Sequence, residues 1–147
     1  IKDSAYVVTY FVLPDYLAVG SDTDYFLMPM TPILAQKIAK AIGFTLPTKQ
    51  MVDQIWSNAS VKLPPSPIPP SAQMTTIPVM WEHNTRLKGH SETYADYSHG
   101  IRLVQDSVLI NNKVHLITEV LQDIQKSSLF SDEGVIEKPF YPLDKTE

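Results

Sequence analysis

The sequence predicts an α+β fold, in which a mainly antiparallel sheet carries a packed αα-hairpin on one face. Stretches rich in β-branched and aromatic residues lie near both ends of the chain, at residues 5–13 and 101–117, and such stretches are typical of strands. Helical patterns cluster in the middle of the chain and do not alternate with strands. A chain of 147 residues, 44% of them hydrophobic, has the size of one domain. We therefore expect a single domain over residues 1–147.

The composition excludes several classes of function. Twelve Lys and Arg residues against 16 Asp and Glu give a net charge of −4 without a basic cluster, whereas binding to nucleic acid or anionic lipid requires neutralisation of negative charge. The apolar runs are far shorter than the roughly 20 residues of a membrane-spanning helix. The absence of cysteine excludes disulfides, thiolate zinc sites and a cysteine nucleophile. We expect neither a nucleic-acid partner nor a membrane span.

The first strands are predicted from local composition. Residues 5–13 lack polar alternation, which is typical of a strand covered on both faces and central in a sheet. The dipeptide Pro14-Asp15 interrupts this run. Residues 16–19 then form a second short strand that ends at the polar turn 20–24.

Two helices follow, each with a capping residue. Thr31 precedes Pro32 at the first helical position, and Gly43 marks the end. The second helix begins after Thr48, and the connection 44–47 is short enough for the two helices to pack together. Residues at helical spacing are expected to share one buried cluster: Leu34, Ile38, Met51, Ile55 and Trp56.

The second half begins with a proline-rich crossover at residues 63–71, which is expected to be extended. Residues 76–82 predict a strand near a sheet edge. A hairpin is predicted around Asn111-Asn112, because both residues tolerate positive φ between two apolar runs. A short helix over 119–124, capped by Thr118, and an irregular tail from Ser131 complete the chain.

A polar and aromatic segment at residues 89–100 is the best candidate site. Three of the four histidines, His83, His90 and His99, lie in or just before it. The segment has little apolar surface to bury, and functional residues concentrate in such loops on rigid scaffolds. We take His90, Asp96 and His99 as candidate catalytic residues.

Three interpretations of this segment stay open. His90 and His99, with Asp96 or Glu92, could hold a divalent metal such as zinc and leave one position for a nucleophilic water. Alternatively, one histidine acts as a general base that Asp96 orients. In the third interpretation, the same side chains only make hydrogen bonds that hold a long loop in place.

Aromatic residues near the histidines predict a ligand surface. Trp81 precedes the segment, and Tyr94 and Tyr97 lie within it. Aromatic rings beside carboxylates are what a sugar or peptide contacts. These three residues are expected to bind substrate.

The segment Ser98-His-Gly-Ile-Arg-Leu103 resembles the Ser-His-Gly-Cys-Arg motif of L,D-transpeptidases, which cross-link peptidoglycan stems. The resemblance implies that His99 is a site histidine and that Arg102 binds a carboxylate. Ile101 occupies the position of the family's nucleophilic cysteine, so the thioester chemistry of that family cannot occur in this chain.

A broader resemblance covers most of the chain. The sequence is similar to uncharacterised bacterial proteins that share three segments: Asp15-Tyr-Leu-Ala-Val-Gly-Ser-Asp22, Leu46-Pro-Thr-Lys-Gln-Met-Val-Asp-Gln-Ile-Trp56 and Tyr94-Ala-Asp-Tyr-Ser-His-Gly-Ile-Arg-Leu-Val104. The resemblance implies no particular activity.

Together these features predict an extracytoplasmic or secreted hydrolase-like protein that acts on a peptide- or glycan-type polymer. The alternative is a non-catalytic module in which the same loop and its aromatic residues bind the ligand. A structural protein that uses the proline run for contacts is the third candidate.

Overall fold

The computed structural model describes residues 6–60, 62, 71–73, 76–87 and 101–142. The strands are β1 (Val8–Thr9), β2 (Ala18–Gly20), β3 (Tyr25–Leu27), β4 (Phe44–Thr45), β5 (Val104–Gln105), β6 (Ser107–Ile110) and β7 (Lys113–Leu116). The helices are α1 (Pro32–Ala41), α2 (Lys49–Asn58), α3 (Ile77–Leu87) and α4 (Ile117–Gln122), followed by a 3-10 helix at Ser127–Leu129. The strands form antiparallel sheets with the orders β1-β6-β7, β2-β3 and β4-β5. The α+β class is confirmed.

Strand β1 lies at the edge of its sheet, contrary to the predicted central position. It pairs with β6 through Val8↔Ile110 and Thr9↔Leu109. Val8 is buried, whereas Val7 and Phe11 are exposed, so only one face of this segment is covered. A run with apolar residues on both faces has the sequence pattern of a strand that is buried on both sides. In this protein the apolar residues on the outer face are exposed to solvent.

The N-terminal segment continues beside the residues that lead into β5. Val12 bridges Val104, Leu13 donates its amide to the Leu103 carbonyl at 2.9 Å, and Leu17 donates to Ile101 at 3.0 Å. Residues 13–17 therefore form an arch that is fixed at both ends to the segment around residue 102.

The hairpin at Asn111-Asn112 is confirmed. Both residues have positive φ, 49° and 64°, as a two-residue type I′ turn requires. Ile110 pairs with Lys113 directly beside the turn. The Asn111 side chain also accepts a 2.8 Å hydrogen bond from the Val7 amide, which ties the turn to the N-terminal segment.

Local capping signals place the first two helices correctly. The Thr31 side chain accepts a bond from the Leu34 amide, and the Thr48 side chain accepts one from the Met51 amide. The predicted Thr118 cap is wrong, because α4 begins at Ile117 without a side-chain cap. The Ile117 amide instead donates to the Asp106 carbonyl at 2.8 Å, so a distant backbone group satisfies the start of this helix.

The hydrophobic core joins β1, α2 and the C-terminal segment. Its buried members are Val8, Met51, Val104, Val108, Ile110, Ile117, Val120, Leu121, Leu129 and Phe130. The predicted cluster shared by the two helices is wrong, since Leu34 is 47% and Trp56 36% exposed. Helix α1 buries Ala35 and Ala39 instead and contacts β4. Strand β4 lies in the connection between the helices and pairs with β5, so the connection belongs to a sheet.

Residues 77–82 belong to α3, so the strand predicted over residues 76–82 is wrong. Pro78 lies in the first helical turn, where a missing amide proton costs nothing. The Met80 amide donates to the Thr76 carbonyl at 3.0 Å. Short apolar runs of this kind do not distinguish a strand from a helix by periodicity.

The crossover at residues 63–71 lies outside the described residues except at Ser71, and the single-domain assignment stays a prediction. Within the described part of the chain, none of the helices is long and apolar enough to cross a membrane.

Candidate functional site

Most of the predicted site lies outside the described residues: His90, Tyr94, Asp96, Tyr97 and His99. The metal, acid–base and loop-holding interpretations of that segment therefore stay predictions. Among the residues that the structure describes, no group of three His, Asp or Glu side chains could hold a metal ion. The predicted site residues that are described are Trp81 and Arg102.

Trp81 packs helix α3 against the hairpin of β2 and β3. Its ring stacks on Phe26 of β3, with ring centres 6.0 Å apart and planes inclined by 5°. Nearly half of the Trp81 side chain is exposed, so one part of it packs and another part faces solvent. Its predicted contact with substrate stays a prediction.

Arg102 lies beneath the arch of residues 13–17. Its side chain is 10% exposed, and Nη2 lies 4.0 Å from the Asp15 carboxylate. Nη2 donates a 3.0 Å hydrogen bond to the Pro14 carbonyl. The guanidinium carbon lies 5.2 Å from the centre of the Tyr16 ring, within the range of a cation–π interaction. Backbone bonds of the neighbouring Ile101 and Leu103 to the arch fix the position of Arg102 in the fold.

Arg102 lines a cleft of about 440 Å³, here named the Arg102 cleft. Its lining comes from the arch, the start of α1, the connection before α2, the outer face of α2 and the tail: Tyr16, Met30, Pro32, Leu46, Pro47, Val52, Ile55, Trp56, Ile101, Arg102 and Tyr141. Arg102 is the one charged side chain among these described residues. The cleft therefore combines apolar and aromatic walls with a single cation.

A second cation lies beside the cleft. Lys62 Nζ is 5.8 Å from the centre of the Trp56 ring, and Trp56 lines the cleft. Arg102 also lines an opening of about 450 Å³ on its other side, together with Tyr10 and Gln54. Tyr10 donates a 2.8 Å hydrogen bond to Gln54, and burial raises the pKa of its hydroxyl, so this opening is bordered by a neutral phenol.

Two further cavities lie along the tail, with volumes of about 310 and 560 Å³. Both are lined by Gln36, Thr45 and Thr118 together with the tail residues Phe140 and Tyr141. Tyr141 also lines the Arg102 cleft. The three spaces are therefore adjacent, and the tail runs between them.

An exposed ion pair marks the start of α2 at the smaller of these cavities. Lys49 Nζ lies 2.7 Å from the Asp132 carboxylate and 3.4 Å from Asp53. The hydrogen bond from Lys49 lowers the pKa of Asp132, and the same bond raises the pKa of Lys49. Since both groups face water, this pair adds little to stability.

Sequence reasoning missed the aromatic members of the cleft, which are Tyr16, Trp56 and Tyr141. Trp56 was assigned to the core, although the apolar face of α2 is wider than the core needs, and that excess is the signal that could have revealed it. Tyr16 and Tyr141 reach the cleft through long-range folding and carry no comparable local signal.

Comparisons of the chain with protein-family models, with curated proteins and with solved structures found no match. The chemistry of the cleft is therefore interpreted from its own residues.

Proposed function

We propose that the protein binds a carboxylate-bearing part of a peptide- or glycan-type polymer in the Arg102 cleft. One observation carries the proposal: a guanidinium group that is 10% exposed lines a cleft with apolar and aromatic walls. Such a combination orients a ligand through one charged contact and binds the remainder by burial.

The burial of Arg102 favours an anion. Charges attract more strongly where water is excluded, and a planar guanidinium can bind both oxygens of a carboxylate. Asp15 lies 4.0 Å from Nη2, so its carboxylate and that of a ligand would share the guanidinium, which has several N–H donors. Lys62 beside Trp56 adds to the positive potential at the cleft.

The walls suit the apolar part of such a ligand. Trp56 and Tyr16 present aromatic surface, and Val52 and Ile55 add an aliphatic side. Aromatic faces bind sugar rings as well as peptide side chains, so this lining supports both polymer types.

Hydrolysis is the second candidate function. Ile101 lines the cleft, and it follows directly after the segment that contains His90, Asp96 and His99. This continuity of the chain supports the proposal that a general base or a metal-bound water from that segment acts on a polymer bound in the cleft. In this proposal the protein is extracytoplasmic or secreted, where such polymers occur, and zinc or another divalent metal is a candidate cofactor.

The binding proposal is tested with matched ligands that differ only in charge. We propose to titrate acetyl-Phe-Ala with a free carboxylate against its amide, and a uronic-acid oligosaccharide against its neutral reduced form. The Trp81→Phe background leaves Trp56 as the only tryptophan of the two, so its fluorescence reports on the cleft.

The charged ligand of at least one pair should bind more tightly than its neutral form, by about tenfold or more. Arg102→Gln should remove this preference, while Lys113→Gln, which removes a charge at the distant hairpin turn, should retain it. A preference that survives Arg102→Gln would contradict the proposal.

Hydrolysis is tested on the same polymers by the appearance of new amino termini or reducing ends. His99→Ala should abolish turnover and leave Arg102-dependent binding intact. Metal analysis of the purified protein then separates the two mechanisms, because only the metal mechanism requires a stoichiometric divalent ion. Binding without turnover would support the non-catalytic module.

A further inference from the structure

Two hydrogen bonds between the Gln36 side chain and the backbone of Tyr141 hold the tail on helix α1. The Gln36 side chain accepts a 2.6 Å hydrogen bond from the Tyr141 amide and donates a 2.9 Å bond to the Tyr141 carbonyl. The primary amide of Gln36 thus offers the donor and the acceptor that a neighbouring strand residue offers in an antiparallel sheet.

This pairing is selective for a peptide backbone. In an extended chain, the N–H and C=O of one residue point to the same side, so one primary amide can bind both. The N–H and C=O of a trans amide point to opposite sides, so the acetamido group of a sugar cannot make the same pair of bonds.

The groove under the tail is larger than its occupant. Open clefts of about 310 and 560 Å³ lie beside Phe140 and Tyr141, so the tail does not fill the groove. Phe140 is 57% and Tyr141 48% exposed. The tail is therefore a loosely packed strap.

The strap has a defined anchor before it. The Ile136 amide donates to the Leu121 carbonyl at 2.9 Å, and Gln122 donates to the Glu137 carbonyl at 2.8 Å. These bonds hold residues 136–137 on α4. Residues 138–142 can therefore leave the groove without disturbing the core.

We infer that the groove lined by Gln36, Thr45 and Thr118, here named the Gln36 groove, is a subsite for an extended peptide. The chain's own residues 138–142 occupy it as an internal competitor. Tyr141 also lines the Arg102 cleft, so an incoming peptide would displace the strap and open the cleft on that side. The inference rests on the proposed function and narrows it, since the polymer is then a peptide.

The test uses the full chain and the peptide acetyl-Lys-Pro-Phe-Tyr-Pro-amide, which copies residues 138–142. Tyr141→Pro removes the amide donor of the strap and leaves Gln36 intact. This variant should bind the peptide about tenfold or more tightly than the parent, because the tethered strap competes at a high effective concentration. Tyr141→Phe, which keeps the amide and the ring, should behave like the parent.

A Gln36→Glu change in the Tyr141→Pro background should abolish peptide binding, because a carboxylate repels the peptide carbonyl and cannot donate to it. In the parent chain, Gln36→Ala, which removes the acceptor of the Tyr141 amide, should also speed hydrogen exchange of that amide. Equal binding to the parent and to Tyr141→Pro, binding to neither, or unchanged exchange would overturn the inference.

The two proposals fail separately. The peptide amide carries no C-terminal carboxylate, so its binding tests Gln36 and not Arg102. Gln36-dependent binding together with carboxylate binding that ignores Arg102 would overturn the proposed function alone. The reverse pattern would overturn the peptide subsite alone.

Discussion

At the scale of single residues, Arg102 has an observed structural contact and a proposed role in binding. Its Nη2 donates to the Pro14 carbonyl at 3.0 Å, while the side chain lines the cleft. A substitution at this position therefore has two effects, one on the arch and one on the ligand, and these can be measured apart.

Arg102→Ala should lower the free energy of unfolding by about 1.5–3 kcal/mol, the usual value of a hydrogen bond that involves a charged group. The loss should fall near the lower end of that range, because Pro14 is exposed and water replaces the lost donor. Urea denaturation of the parent and the variant measures it. A variant as stable as the parent would show that Arg102 does not hold the arch.

Met51 and Leu34 test the division between core and surface within the two helices. Met51 is completely buried in the core, and Leu34 is 47% exposed. Met51→Ala should cost about 2–5 kcal/mol, whereas Leu34→Ala should change stability by about 0.5 kcal/mol or less. Thermal or chemical denaturation checks both, and an equal loss in the two variants would contradict the observed packing of α1.

At the scale of elements, the hairpin of β2 and β3 depends on one glycine. Gly20 at the end of β2 has a φ of 136°, and an added Cβ would lie 2.2 Å from the Asp24 carbonyl oxygen. Gly43 after α1 also has positive φ, 75°, but open space surrounds it. An alanine at Gly20 would suffer both steric overlap and backbone strain, whereas an alanine at Gly43 would suffer backbone strain alone.

Gly20→Ala should therefore destabilise the protein more than Gly43→Ala, for which only the left-handed backbone costs about 1–2 kcal/mol. Urea denaturation compares the two variants, and hydrogen exchange in β2 and β3 locates the damage. A Gly20→Ala variant with a loss no greater than that of Gly43→Ala would contradict the hairpin geometry.

The ion pair at the start of α2 gives an expectation for pH. The pKa of Asp132 is lowered by its bond to Lys49, so its contribution to stability is present above the unfolded value of 3.8 and is lost as the pH falls through the folded value. Lys49→Gln should raise the Asp132 pKa toward 3.8. Carboxyl chemical shifts followed through acid pH measure this, and an unchanged midpoint would show that Lys49 is not the cause.

Elements with local signals could be predicted from the sequence. Thr31 and Thr48 cap the helices that follow them, and Asn111-Asn112 forms the predicted turn, because each signal acts over a few residues. Strand β4 could not be predicted, since two residues become a strand only by pairing with β5. Helix α3 was mistaken for a strand because Pro78 suits both a strand edge and a first helical turn.

At the scale of the whole molecule, the Arg102 cleft is assembled from distant parts of the chain. Tyr16, Trp56, Arg102 and Tyr141 come from the arch, from α2, from the segment before β5 and from the tail. Of these four, Arg102 was expected as a site residue, through a resemblance in sequence. The positions of the other three residues depend on how β1, α2 and the C-terminal segment pack around one core. No local sequence pattern predicts that packing.

The most direct test of the account is the structure of the protein with its carboxylate ligand bound. We expect one carboxylate oxygen at about 2.8 Å from an Arg102 nitrogen, with the apolar part of the ligand against Trp56 and residues 138–142 displaced from the Gln36 groove. A ligand bound elsewhere on the molecule, without contact to Arg102, would contradict the account.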